Sequence, residues 1–92
     1  MLGDLLANLT DETTALETIL GAGDLALLTA VRERAAAEGV DLGAYVGQMV
    51  QRYAGEASDE EWITLMGALN RSADPGATCL KRAFEHELRG AP

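Results

Sequence analysis

One histidine, one cysteine and fifteen carboxylates are the chain's main means of doing chemistry. His86-Glu87-Leu88-Arg89-Gly90 starts like H-E-x-x-H, the helical spacing that sets two imidazoles and a general base around zinc. Gly90 stands where the second imidazole is needed, so a ligand is missing. Cys79 and His86 are seven residues apart, about two helical turns, and share a face. Two side chains of different softness are too few to hold a metal. Asp59, Glu60 and Glu61 form one acidic cluster, and Asp11 and Glu12 another. Acid–base catalysis needs two carboxylates in different, partly buried surroundings. Acids at helix starts instead compensate the helix dipole, and that is the reading taken for both clusters. Ser58 and Ser72 have no histidine near them in sequence, and His86 could serve only one of them. Gly21-Ala22-Gly23-Asp24-Leu25-Ala26 fits G-x-G-x-x-A, with Asp41 twenty residues beyond Gly21. That pattern needs a βαβ unit whose helix N-terminus receives a pyrophosphate. Asp24 would repel the phosphate and no second strand follows, so the stretch is read as a turn. No catalytic, cofactor-binding or metal-binding residue is expected.

The elements that would position these side chains are helices. Leu2, Leu5, Leu6 and Leu9 recur at helical spacing. Thr10 is placed as the next N-cap, with Asp11 and Glu12 in the first turn and Leu16, Ile19 and Leu20 on the apolar side. Leu2, Leu9 and Leu16 also share a heptad position, so residues 1–20 read as either one helix or two. Asp24 caps a helix that turns Leu25, Leu28, Val31 and Ala35 inward and ends at Gly39, where a left-handed conformation costs glycine little. Asp41 caps the next. Leu42, Tyr45, Val46, Met49, Val50 and Tyr53 form its stripe, the clearest amphipathic pattern in the chain. Ser58 and Glu61 spell a capping box in which each bonds the other's amide. Trp62, Ile63, Leu65, Met66 and Leu69 follow on a wide apolar face. Asp74-Pro75 restarts the last helix, lined by Ala77, Leu80, Phe84 and Leu88. Asp41-Leu42-Gly43-Ala44 and Asp74-Pro75-Gly76-Ala77 open comparable helices 33 residues apart. The likeness reads either as a duplicated helical hairpin or as shared capping grammar.

The totals set the class. Ninety-two residues make one domain. A chain this short buries only about 60–65% of its unfolded surface. Hydrophobic residues are 48% of it and aromatics 4%, so the core is aliphatic and alanine-rich, a composition that favours helices. Seven basic against fifteen acidic residues leave a net charge of −8. Residues 1–31 contain no Lys, Arg or His. Such a surface repels nucleic acid, whose counterions only cations displace, and attracts a basic partner. The bland account is that the acid keeps the chain soluble. Cys79, the only cysteine, allows no intrachain disulfide, which fits a reducing cytoplasmic setting. Asp4 stands where an export signal would be positive. No apolar run approaches the ~18 residues of a membrane span. Six Arg to one Lys, with abundant Ala and Gly, suggests a GC-rich bacterial genome.

Residues 28–54 combine an amphipathic helix, an Ala37-Glu38-Gly39-Val40 turn, a cap at Asp41 and a second helix ending in Arg52-Tyr53. In this they resemble the helix pair of ribbon-helix-helix repressors. That resemblance implies dimerisation through the hairpin and a two-stranded ribbon, one strand per chain, that reads the major groove. The equivalent stretch here, Thr14 to Gly23, has no basic or amide side chain to donate to a base edge. Asp41 at the second cap disfavours a phosphate. The DNA-reading residues therefore do not carry over.

The expectation is an all-α fold: a compact bundle of about five short helices in a single domain over 1–92. It has helical hairpins at 24–54 and 59–89 and an N-terminal segment, 1–9, that serves docking or dimerisation. The function expected is that of a small acidic bacterial protein–protein interaction module, regulatory or adaptor, with no catalytic activity or cofactor. Its partner would be a protein, basic in charge, or a second copy of the chain; neither nucleic acid nor a membrane is expected. The alternative is a degenerate ribbon-helix-helix-type dimeric transcription regulator or antitoxin. The candidate partner-binding residues are Leu2, Leu5, Leu6, Leu9 and Trp62. Trp62 reads either as a core anchor beside Met66 and Phe84 or as a half-exposed binding anchor. Met49 and Met66 are placed in the core. The Leu-rich start is too short to hold a helix alone. It docks on its own bundle, on a second copy or on another protein.

Overall fold

The computed structural model describes residues 2–90, with side chains over 4–89. Six helices follow one another: α1 Leu2–Leu9, α2 Glu12–Gly21, α3 Leu25–Glu38, α4 Leu42–Glu56, α5 Asp59–Asn70 and α6 Pro75–Gly90. There is no strand among the described residues. The count exceeds the expected five because the N-terminal region is two helices. The break has a local cause. The Thr10 hydroxyl donates back to the Ala7 carbonyl at 2.7 Å and closes α1. Asp11, not Thr10, is the cap of α2, its carboxylate accepting from the Thr14 amide at 3.0 Å.

The other caps lie close to where local chemistry puts them. Asp24 accepts from the Leu27 amide and Asp74 from the Ala77 amide. Gly39 ends α3 at φ +71°, the left-handed geometry that favours glycine. Asp41 occupies the cap of α4 without a side-chain bond to it. Ser58 accepts from the Glu61 amide at 3.1 Å, but only this half of the expected box forms, because the Glu61 carboxylate is engaged elsewhere.

Helix α4 is the axis of the fold. It packs against α1, α2, α3 and α6, while α5 leans chiefly on α6. Tyr45, Val46, Met49, Val50 and Tyr53 are fully buried along α4. Burying a side chain of the Val or Met kind stabilises by about 1.5–3 kcal/mol. Gly43 and Gly47, four residues apart, share one face. A Cβ at Gly43 would lie 2.6 Å from the Glu12 backbone oxygen, and one at Gly47 3.0 Å from that of Thr10. The α1–α2 connection thus rests on the α4 backbone itself, an approach the hydrophobic pattern does not announce.

Two registers differ from expectation. In α3 the inward stripe is Leu27, Val31 and Ala35, and Leu25 is 76% exposed. The i, i+4 series from Leu27 points at α4, and Leu25 lies about 200° around the helix from Leu27. In α5 only Leu65 is fully buried. Met66, placed in the core from sequence, is 52% exposed, because no helix covers that side of α5. Met49 is core as expected. No helix among the described residues is long and apolar enough to cross a membrane.

Candidate functional site

A network of polar side chains lies at the junction of α4, α5 and α6. The α4 stripe ends at Tyr53, whose ring is buried and whose hydroxyl donates to the Glu61 carboxylate at 2.5 Å. Arg82, from α6, grips the same carboxylate with both arms of its fork, Nε to Oε2 and Nη2 to Oε1, each at 2.9 Å. Such bidentate, charge-assisted pairs are short and directional. Beside them His86 Nε2 lies 3.0 Å from Glu56. The His86 ring meets the Tyr53 ring edge-on at 5.5 Å, and Trp62 meets it at 6.1 Å from the other helix. A second clamp joins α4 to α6: Arg52 Nε donates to both Glu87 oxygens, at 2.9 and 3.1 Å.

The electrostatics follow from these contacts. The hydrogen bonds from Arg82 hold the Glu61 carboxyl below its ordinary value; burial opposes this and the Tyr53 hydroxyl adds to it. The Tyr53 phenol is pushed well above the usual tyrosine range, first by burial and then by the neighbouring Glu61 carboxylate. Both Glu61 oxygens are taken by donors, so the group is not a poised base. Chemically the cluster is a lock that ties α5 to α4 and α6.

What the lock holds out is apolar. Ile63 is 71% and Met66 52% exposed, one helical turn apart on the outer side of α5, with half-buried Trp62 beside them. Asp59 and Glu60 at one end of this face, and Arg71 at the other, are exposed and form no ion pair among the described residues. Leu20, Leu25 and Leu88 are the remaining large hydrophobics in the open. A shallow groove between α3 and α6 is lined by Ala30, Glu33, Arg34, Ala37, Phe84 and Leu88. The Tyr45 hydroxyl is buried with no hydrogen-bond partner among the described residues. No group of three metal-ligating side chains comes together among the described residues.

Of the partner-binding candidates, Leu9 lies in the core, 1% exposed, because α1 packs against α2 and α4. Leu5 and Leu6 are half-buried against the same core, and the Leu2 side chain lies outside the described residues. Trp62 is half-buried, one side on Tyr53 and the core. His86 pairs with Glu56 rather than with its sequence neighbours, and Cys79 is buried away from it in the core. The sequence reading did not place Ile63 and Met66 on an uncovered side of α5. A signal was present: Trp62, Ile63, Leu65, Met66 and Leu69 span about 160° of helix, wider than one neighbouring helix covers. The helix pair that resembles the ribbon-helix-helix hairpin is present as α3 and α4, and residues 14–23 lie in α2 and the turn after it. Comparison with protein-family models, with characterised proteins and with solved structures gave no match, so the site is read from its own geometry.

Proposed function

We propose that this chain is a small acidic protein–protein interaction module, regulatory or adaptor in role and without catalytic chemistry of its own. Its contact surface is the outer face of α5. The observation that carries this reading is the pairing of a rigid lock with an uncovered apolar face. Glu61, Arg82 and Tyr53 fix α5 on one side, and Ile63 and Met66 stand in water on the other. Clustered exposed apolar side chains rimmed by charge mark interaction sites, because water gains when they are covered. A half-buried tryptophan at the edge supplies the rigid, large-area anchor common in binding hot spots. The net charge of −8 disfavours polyanions and suits a neutral or basic protein surface. The ribbon-helix-helix alternative needs a strand over residues 14–23. Residues 14–21 are helical here, which weighs against that alternative.

A photo-crosslinking side chain placed at position 63 tests the reading in the native cell. The same probe at Ala36, exposed on α3, is the control. Discrete protein adducts at 63 and none at 36 are expected. Equal labelling at both positions, or no adduct at 63, would count against the face as a binding surface.

A further inference from the structure

We infer that the occupant of the α5 face is a second copy of this chain, packed antiparallel across a two-fold axis near residues 65 and 66. The inference rests on the reading of that face as the contact surface and adds what covers it.

The face is complementary to itself. Glu60 and Arg71 are eleven residues apart, about three turns, so they lie on the same flank of α5. When two identical helices pack antiparallel, like flanks meet, because the two-fold axis carries each flank onto its own copy. Glu60 then faces Arg71 of the other copy, and the pair occurs twice. Among the described residues neither charge has an ion-pair partner. The apolar register agrees. The same axis sets Met66 beside its own copy and brings Ile63 over Gly67, which has no side chain in the way. Arg71 lies back over Gly67 in the single chain, its Nη1 3.3 Å from where a Cβ would stand. It has only to swing off the glycine to reach the opposing Glu60, which clears the seat for Ile63. Isologous contacts of this kind are the commonest route to a closed dimer.

The net charge does not forbid the association. The globule measures 33 × 30 × 22 Å. At physiological salt the screening length is about 8 Å, so most charges of two copies do not sense one another. At low salt they do, and the dimer weakens there. One face of a 12-residue helix lies at the small end of specific interfaces, which bury about 1,000 Å² or more in total. A weak, concentration-dependent dimer is therefore expected.

Sedimentation equilibrium of the intact chain, from micromolar to millimolar, tests this. The expected result is a mass rising from 9.7 kDa towards twice that value, with tighter association at moderate than at low salt. Met66→Asp, Glu60→Arg and Arg71→Glu each change an exposed residue and are checked for helicity and melting. Each is expected to weaken the dimer at least tenfold, and the double reversal Glu60→Arg/Arg71→Glu to recover most of the loss. A monomer at every concentration overturns the inference. So does a dimer indifferent to Met66→Asp, or a double reversal no better than the single changes. A crosslink from position 63 to a different protein, together with a monomeric chain, would retain the face as a binding surface and discard the second copy.

Discussion

Two tyrosines on α4, eight residues apart and both fully buried, should respond to loss of the hydroxyl with opposite sign. Tyr45 carries a buried hydroxyl with no partner among the described residues. A hydroxyl buried unpaired costs about 1–3 kcal/mol. Tyr45→Phe removes that cost and leaves a void of one oxygen atom, worth roughly 0.3 kcal/mol at ~24 cal/mol per Å³. A net stabilisation of about 1 kcal/mol follows, and the Arg52 guanidinium, 5.9 Å above the Tyr45 ring, keeps an aromatic face beneath it. Tyr53 instead donates to an ionised Glu61. A hydrogen bond to a charged group is worth about 1.5–3 kcal/mol, and Glu61 retains Arg82, so Tyr53→Phe should cost about 1.5 kcal/mol. For a domain this small, 1 kcal/mol moves the melting temperature by about 4–8 °C. Urea and thermal unfolding of the two variants should therefore straddle the parent chain, about 2.5 kcal/mol apart in all. The two positions lie about 12 Å apart along the helix axis, so the double variant should be close to additive. Alkaline unfolding gives a second readout. Both phenols are raised, so the folded chain holds their protons more tightly than the unfolded one. Stability is full below the ordinary value of 10.0 and falls as pH rises through it. Removing both hydroxyls should flatten that decline. A Tyr45→Phe variant destabilised by about 1 kcal/mol or more would refute the reasoning, because the hydroxyl would then have a partner.

Three further outcomes follow from the same geometry. Gly43→Ala should destabilise by about 2 kcal/mol in chemical denaturation, since its Cβ would meet the Glu12 backbone oxygen at 2.6 Å. Gly55→Ala on the same helix, with open space around it, should stabilise by up to about 1 kcal/mol. Glu61 is held below its ordinary 4.5, so its contribution is full above that pH and is lost as pH falls through it. In an acid titration of stability Arg82→Met should be less stable at neutral pH and show a shallower loss. Burial pushes the Cys79 thiol up to about 11, so at pH 8 a thiol reagent should label it only through opening of the fold, and one equivalent rapidly in denaturant.

The helices and most of their ends were legible from residues alone, because a cap is a bond between neighbours. Asp24 and Leu27, Ser58 and Glu61, and Asp74 and Ala77 are each three residues apart, so local order is enough to predict them. The α4 stripe was equally plain, since a pattern kept from Leu42 to Tyr53, about three turns, agrees only with a helix buried on that side. The misplacements have the opposite origin. Glu61 looks like a reciprocal cap from its neighbours, but its carboxylate answers to Tyr53 and to Arg82, twenty-one residues away. Leu25 and Met66 lie in apolar runs, and periodicity says nothing of whether a neighbour arrives to cover them.

The sequence by itself determined that this protein is helical, acidic and poor in the side chains chemistry needs, because propensity, charge and local hydrogen bonding are properties of short stretches. Tertiary structure alone decided that α4 lies at the centre, that two glycines seat the α1–α2 connection against it, and that α5 turns Ile63 and Met66 outward. Those outcomes depend on which helix reaches which face first and how closely backbones approach. Such distances are set between residues far apart along the chain.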